Sequence, residues 1–315
     1  AGKPSCAATG LAIHPFLNID ITHQNAFEGS DQNASHPYRK VVARGLKYLV
    51  DNQQPDGSFK DSDLRGHCWC ARALAEACRR SNSMTFKDDG TFRTEETFKK
   101  QAQLAIAFLV KQAKKDGGFG DSKSNTIDTG YAFLALHSGL MAGLDVPRET
   151  RDGSMTYLDS VASKDGDEYA LSAGEKPSPE ASAMALLCRL HSGWGIRTPG
   201  LIWGVQKLPK AFTPKSADDI PVAFLVNQTI YNVDTGGHTD RETWLAKCRD
   251  LFVESQDKGI KGETNKGSWC CERIKIDRLE ATCLAILSLE VYYHWPRLSG
   301  KPRMIWFDGI GPLPQ

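Results

Sequence analysis

An all-α fold, an α/α toroid of helical hairpins, is what this sequence predicts, and three observations carry that expectation. A short phrase recurs: Gln53-Gln54-Pro55-Asp56-Gly57-Ser58-Phe59, then Gln112-Ala113-Lys114-Lys115-Asp116-Gly117-Gly118-Phe119, then Gly267-Ser268-Trp269. Each copy has an apolar helical pattern before it and another after it. Strand signals are weak throughout. A repeat at a period of about 40–60 residues governs the architecture, because one hairpin cannot bury its apolar face without the next.

Six segments read as inner helices: 7–17, 66–79, 126–143, 179–192, 219–233 and 278–294. Thr129-Gly130-Tyr131-Ala132-Phe133-Leu134-Ala135-Leu136 and Ala281-Thr282-Cys283-Leu284-Ala285-Ile286-Leu287 are apolar on nearly every face. A helix sandwiched between other helices must be so. Between these lie amphipathic segments with one wet face, at 38–53, 95–114, 147–163, 198–208 and 240–256. In 95–114, Ala102, Leu104, Ala105, Phe108 and Leu109 form one stripe and Glu95, Glu96, Lys99, Lys100 and Lys111 largely face away, which is the period-3.6 pattern of a surface helix. Six inner helices alternating with five or six outer ones close a toroid.

The connections share one order: outer helix, Gln, Gly turn, aromatic, inner helix. Gly57 and Gly117 permit the turn because glycine tolerates positive φ. The aromatic can pack back under the helix end, and the Gln amide can satisfy frayed backbone groups there. Segments 18–37, 80–94 and 163–178 read as loops, long enough to be flaps or insertions. Residues 1–295 are expected to form one toroid domain. Pro296 to Gln315, rich in proline and glycine, is expected to be an irregular tail packed on it through Trp306 and Phe307.

The bulk numbers exclude several classes. A net charge of +1 advertises no nucleic-acid or anionic-membrane surface. No apolar run reaches the roughly 18–20 residues of a membrane span. Ala1-Gly2-Lys3-Pro4-Ser5 is not a signal peptide. It reads as a cut end, so the compartment is left open, with an export or anchoring segment removed as one option. Nine cysteines over 315 residues are not a small secreted disulfide framework. Most sit in apolar helical stretches as small hydrophobes, with a disulfide at Cys270 or Cys271 left open.

The Gln-x-x-x-Gly-x-Phe/Trp phrase resembles the repeat of the terpenoid cyclase and protein prenyltransferase superfamily. Closer still, the chain is similar to bacterial squalene-cyclase-like and prenyltransferase-like repeat proteins. The resemblance covers about residues 7–294. The copy at Gln53–Phe59 matches fully, that at Gln112–Phe119 carries one extra residue, and that ending in Trp269 lacks its nearby Gln. Weaker copies lie at Lys164-Asp165-Gly166-Asp167-Glu168-Tyr169 and after Trp203. The resemblance implies the toroid; it does not imply an activity, since one fold hosts many functions.

The family's chemistry can be checked residue by residue. The resemblance implies an Asp-x-Asp-Asp-Thr-Ala motif at an inner-helix start in cyclases that protonate an alkene, a step that needs an unusually strong acid. The nearest stretch is Asn125-Thr126-Ile127-Asp128-Thr129-Gly130, where the donor position is Ile127. Prenyltransferases would hold Zn²⁺ through Asp-x-Cys and a distant His; in Asp128-Thr129-Gly130 the Cys position is glycine. His67-Cys68-Trp69-Cys70 resembles the family's sequence around the ligand His, one residue out of register, and an i,i+3 pair of His67 and Cys70 stays open as a new zinc site. The expectation is no metal and no cofactor. A Cys-Gly-Glu-Gln thioester is absent, as are Asp-Asp-x-x-Asp, His-Glu-x-x-His, Gly-x-Ser-x-Gly and P-loop patterns.

Polar residues at inner-helix starts tend to face the mouth of a toroid's central cavity. The candidates are His67, Asp128, Glu180, Asp219, Arg278 and Glu280, with Trp69, Tyr131, Gln228 and Tyr231 deeper. The alternative for each is local: Asp128 and Asp219 stand at N-cap-like positions and Glu180 follows Pro179 in a first turn. His14, His137 and His191 read as core histidines. Three functions remain open. The first is a scaffold without the family's catalytic motifs, binding a small molecule, glycan or protein in its cavity. The second is a divergent enzyme on isoprenoids, whose cavity would be deep, dry and aromatic. The third is a carbohydrate-active enzyme with a wet cleft and paired carboxylates.

Overall fold

The computed structural model describes residues 5–19, 21–23, 38–80, 95–233, 239–259, 265–274 and 276–293. Among these there are eleven α-helices and no strand, only isolated bridges. They are α1 (Cys6–Asn18), α2 (Tyr38–Asp51), α3 (Leu64–Arg80), α4 (Glu95–Lys111), α5 (Thr126–Met141), α6 (Arg148–Ser160), α7 (Pro179–His191), α8 (Pro199–Ala211), α9 (Ile220–Asn232), α10 (Thr239–Ser255) and α11 (Arg278–Tyr293). Each expected helix is present, its ends displaced by at most three residues. The tail with Trp306 and Phe307, and most of the expected loops at 18–37 and 80–94, lie outside the described residues.

The odd-numbered helices close a ring. α1 packs on α3, α3 on α5, α5 on α7, α7 on α9, α9 on α11, and α11 back on α1. The even-numbered helices sit outside: α2 against α1 and α3, α4 against α3 and α5, α6 against α5, α8 against α7 and α9, and α10 against α9 and α11. The composition of each layer causes its placement. Every residue of α7 from Ala181 to Leu190 is buried, and in α5 only Tyr131 interrupts a buried run from Thr126 to Gly139. Small residues let the inner helices approach closely: an added Cβ on Gly130 would stand 2.2 Å from Met184 of the neighbouring helix. No disulfide joins any of the nine cysteines, and only Cys78 and Cys270 are less than buried.

The turns into the inner helices share one construction. Gly117 has φ +82°, and an added Cβ would meet the Gly153 carbonyl oxygen at 2.2 Å. No other residue takes that conformation at that distance without strain. The Gln53 amide donates to the Gly57 and Gln101 carbonyls at 3.1 and 3.0 Å, tying the turn to α4. The aromatic that follows each turn (Phe59, Phe119, Tyr169 or Trp269) is buried. In three of the four, its backbone N–H donates to a hydroxyl on the next inner helix. The pairs are Phe119 to Thr129 at 2.9 Å, Tyr169 to Ser182 at 2.9 Å and Trp269 to Thr282 at 3.1 Å.

Candidate functional site

The equivalence of Thr129, Ser182 and Thr282 sets the rotational register of the inner helices. Two residues before each comes the position that faces the axis: Ile127, Glu180 and Glu280. On α3 His67 occupies the hydroxyl's register, and Arg65 the axial one. These four axial residues do line a cavity of about 380 Å³ at the N-terminal ends of the inner helices. One turn deeper it is lined by Leu11, Trp69, Tyr131, Leu225 and Leu284. The result is a charged upper layer over an apolar and aromatic one.

Electrostatics in the upper layer follow from burial. Burial pushes the Glu180 carboxyl pKa up, and the Arg65 guanidinium pulls it back only in part. Burial likewise raises Glu280; Asp277 and Asp63 add to this and Arg65 opposes it. Burial also raises the Tyr131 phenol. Arg65 is anchored at the rim, its Nε donating to Asp128 Oδ1 at 2.5 Å, with its side chain half exposed.

Trp69 and Tyr131 line the upper cavity and also a smaller one beneath it, so they form the partition between the two. Their ring centroids are 5.3 Å apart. The lower cavity, about 30 Å³, is bounded by Arg72 and by residues of all six inner helices, among them Phe224 and Gln228.

The sequence candidates therefore separate. Trp69, Tyr131, Glu180 and Glu280 line the upper cavity, and Gln228 the lower one. His67 faces the other way, its Nε2 3.0 Å from the Ala105 carbonyl of α4 and its ring between Phe59 and Phe108. Burial lowers its pKa to about 4. Asp128 turns sideways, Oδ1 accepting from Arg65 and Oδ2 from Asn125 at 2.6 Å. The N-cap of α5 is Asn125, whose Oδ1 accepts from the Asp128 backbone N–H. Asp219 closes a short 3-10 turn by accepting from the Lys215 and Ser216 backbones. Arg278 donates to Asp257 and Ser268 and borders an outer groove by α1 and α2. Tyr231 is part-buried and lines neither axial cavity. Among the described residues no group of three or more His, Cys, Asp or Glu could hold a metal ion, and no helix is long and apolar enough to cross a membrane.

Sequence reasoning missed Arg65, Leu225 and Leu284. The signal was present: Arg65 stands four residues before Trp69 and so shares its face.

No protein-family model matches the chain. It is 30% identical over 132 residues to a drimenyl diphosphate synthase of Streptomyces showdoensis, a match covering 41% of this chain and 23% of that protein. The match thus spans about a quarter of that relative's length. The fold of the chain is similar to that of a type II terpene cyclase from Scytonema, solved as a single-residue variant in complex with its substrate geranylgeranyl dihydroxybenzoate. The TM-score is 0.53 at 12% identity, over 91% of this chain and 86% of that one. The fold is terpenoid-cyclase-like.

Proposed function

We propose that the upper axial cavity binds a ligand with a compact apolar body and a polar head, of the isoprenoid class, and that it does so without protonation-initiated cyclisation from the α5 start. The observation that carries this reading is the two-layer lining. Arg65, Glu180 and Glu280 offer hydrogen bonds and charge at the mouth, while Leu11, Trp69, Leu225 and Leu284 offer a greasy floor. A volume of about 380 Å³ lies toward the small end of ligand pockets. The isoprenoid class is suggested by the relatives, one a drimenyl diphosphate synthase and one holding a geranylgeranyl substrate.

The cyclase resemblance sets the acid of an alkene-protonating site at the position of Ile127, which has no proton to give. Asp128 beside it has both oxygens engaged. A second reading has its own observation. Glu180 and Glu280 carry burial-raised carboxyls at the same register as Ile127. Either could serve as general acid for a reaction easier than alkene protonation.

One experiment addresses both. Farnesol and geranylgeraniol are titrated calorimetrically into the wild-type chain and into Leu225→Trp, which fills the apolar floor. Binding by the wild type, weakened at least about tenfold by the filling substitution, is the expected result. No binding of either alcohol, or equal binding by both proteins, refutes the cavity assignment. Conversion to a cyclised or eliminated product, lost in Glu180→Gln or Glu280→Gln, replaces the binding reading with the catalytic one.

A further inference from the structure

The lower axial cavity holds a charge that no carboxylate among the described residues pairs directly. Arg72, one turn below Trp69 on α3, lines it, and its Nε is fully buried without a hydrogen-bond partner among the described residues. Glu76, an acid on the same helix, acts on Arg72 through space but is already engaged. Its Oε2 accepts from Arg79 at 3.2 Å and lies 3.8 Å from Arg80, and its Oε1 accepts from Ser138 at 2.9 Å. Both Glu76 oxygens are thus engaged by groups other than Arg72. Burial lowers the pKa of His14 to about 3 and of His137 to about 4. They are neutral near pH 7 and add no second positive charge beside Arg72. The Trp69 ring, 5.8 Å from the Arg72 guanidinium carbon, offers only its π-face.

The opposite wall has the complementary defect. Asn232 lines the same cavity, and its Oδ1 is buried without a donor among the described residues. Its own amide nitrogen is taken by the Gln228 carbonyl at 2.8 Å. Among the described residues the cavity therefore offers an unmet donor on one side and an unmet acceptor on the other. Its volume of about 30 Å³ admits roughly two water-sized particles, at about 10–15 Å³ each. That is room for one compact anion against Arg72, or for about two waters. A phosphate ester or a sugar is too large.

We propose that Arg72 makes the base of the toroid axis a binding site for one compact monovalent anion, of halide or carboxylate size. The site stands apart from the upper cavity's ligand, because Trp69 and Tyr131 separate the two. A guanidinium whose buried Nε lacks an acceptor is costly, and an anion that binds the folded state alone stabilises it by mass action.

The test uses the whole chain. Crystals soaked in sodium bromide are measured for anomalous scattering. In solution, melting is compared in gluconate, chloride and formate at constant ionic strength, for wild type, Arg72→Met and Arg72→Gln. The expected result is a bromide peak against the Arg72 guanidinium, with a higher wild-type melting point in chloride and formate than in gluconate. That shift is lost in the two variants. A shift in both salts assigns a site open to either ion; a shift in formate alone, without bromide, narrows it to a small carboxylate. Water density at Arg72 with melting indifferent to the anion overturns the proposal, as do bromide peaks confined to surface side chains, an adventitious ion only. Should both variants fail to fold, the wild-type soak and salt series decide.

Discussion

Replacing Glu290 by glutamine should stabilise the protein at neutral pH and leave it unchanged in acid. Glu290 lies near the lower end of α11, 7% exposed, where Asn18 of α1 donates to its Oε2 at 3.2 Å. Burial raises its pKa from 4.5 to about 8, and the Asn18 hydrogen bond offsets only part of that. Below pH 4.5 the carboxyl is protonated in both the folded and unfolded chains and costs nothing. Between 4.5 and 8 the unfolded chain releases the proton and the folded chain keeps it. Unfolding is then favoured by about 1.36 kcal/mol for each pH unit. At pH 7 the accumulated cost is about 3 kcal/mol on that slope. Glutamine keeps the shape and can still accept from Asn18, but it has no proton to lose. Equilibrium unfolding in urea at pH 4.5, 6, 7 and 8 reads the effect directly. Glu290→Gln and wild type should coincide at pH 4.5, and the variant should gain steadily up to pH 8. A difference between the two proteins that does not change with pH refutes the reasoning.

Two further outcomes are expected. Thr129→Val, Ser182→Ala and Thr282→Val each remove the hydroxyl that accepts the N–H of the preceding aromatic residue. Each should cost about 1–3 kcal/mol, the desolvation penalty of a stranded backbone donor, read as a lower urea midpoint at unchanged slope; a loss under about 0.5 kcal/mol, the range of a neutral surface change, would mean the bond contributes little. Arg65→Gln removes the cation that holds down both Glu180 and Glu280. Carbon-13 NMR titration of the two carboxyls should show both pKa values moving up relative to wild type, and a downward or absent shift would dissociate Arg65 from the site.

How legible was this in the chain? The inner helices declared themselves because sandwiching demands an apolar surface all round, as in Thr129–Leu136. The outer ones did so through a single 3.6-period stripe. What failed was rotation about the helix axis. His67 begins an inner helix, and its position alone suggested the cavity. Yet it stands two residues from Trp69, about 200° round the helix at about 100° per residue, so a helix that aims Trp69 at the axis aims His67 at α4. Asp128 was expected at an N-cap-like position, but the cap is Asn125, three residues earlier. Both are short polar side chains, and only the hydrogen bond to the N–H three residues on tells them apart. Arg72 drew no notice because an arginine on an amphipathic helix is ordinarily solvated, and only the closure of the ring buries its Nε.

The repeats also explain why the absence of a family motif on α5 says little by itself. Four inner helices, three of them held in one register by the hydroxyl contact at the turn, present Arg65, Ile127, Glu180 and Glu280 to a common cavity. A group missing from one helix can therefore be supplied from another. Glu180 and Glu280 restore carboxyls to the layer where Ile127 has none, but burial changes their character. A carboxyl held in an apolar wall is a weaker acid than usual, since desolvation penalises its charged form. Alkene protonation needs the reverse, a proton that leaves readily. A carboxyl that burial holds toward its protonated form is instead a hydrogen-bond donor to an oxygen-bearing head. The chemistry of this layer thus favours holding a polar head over igniting a carbocation, whichever helix supplies the acid.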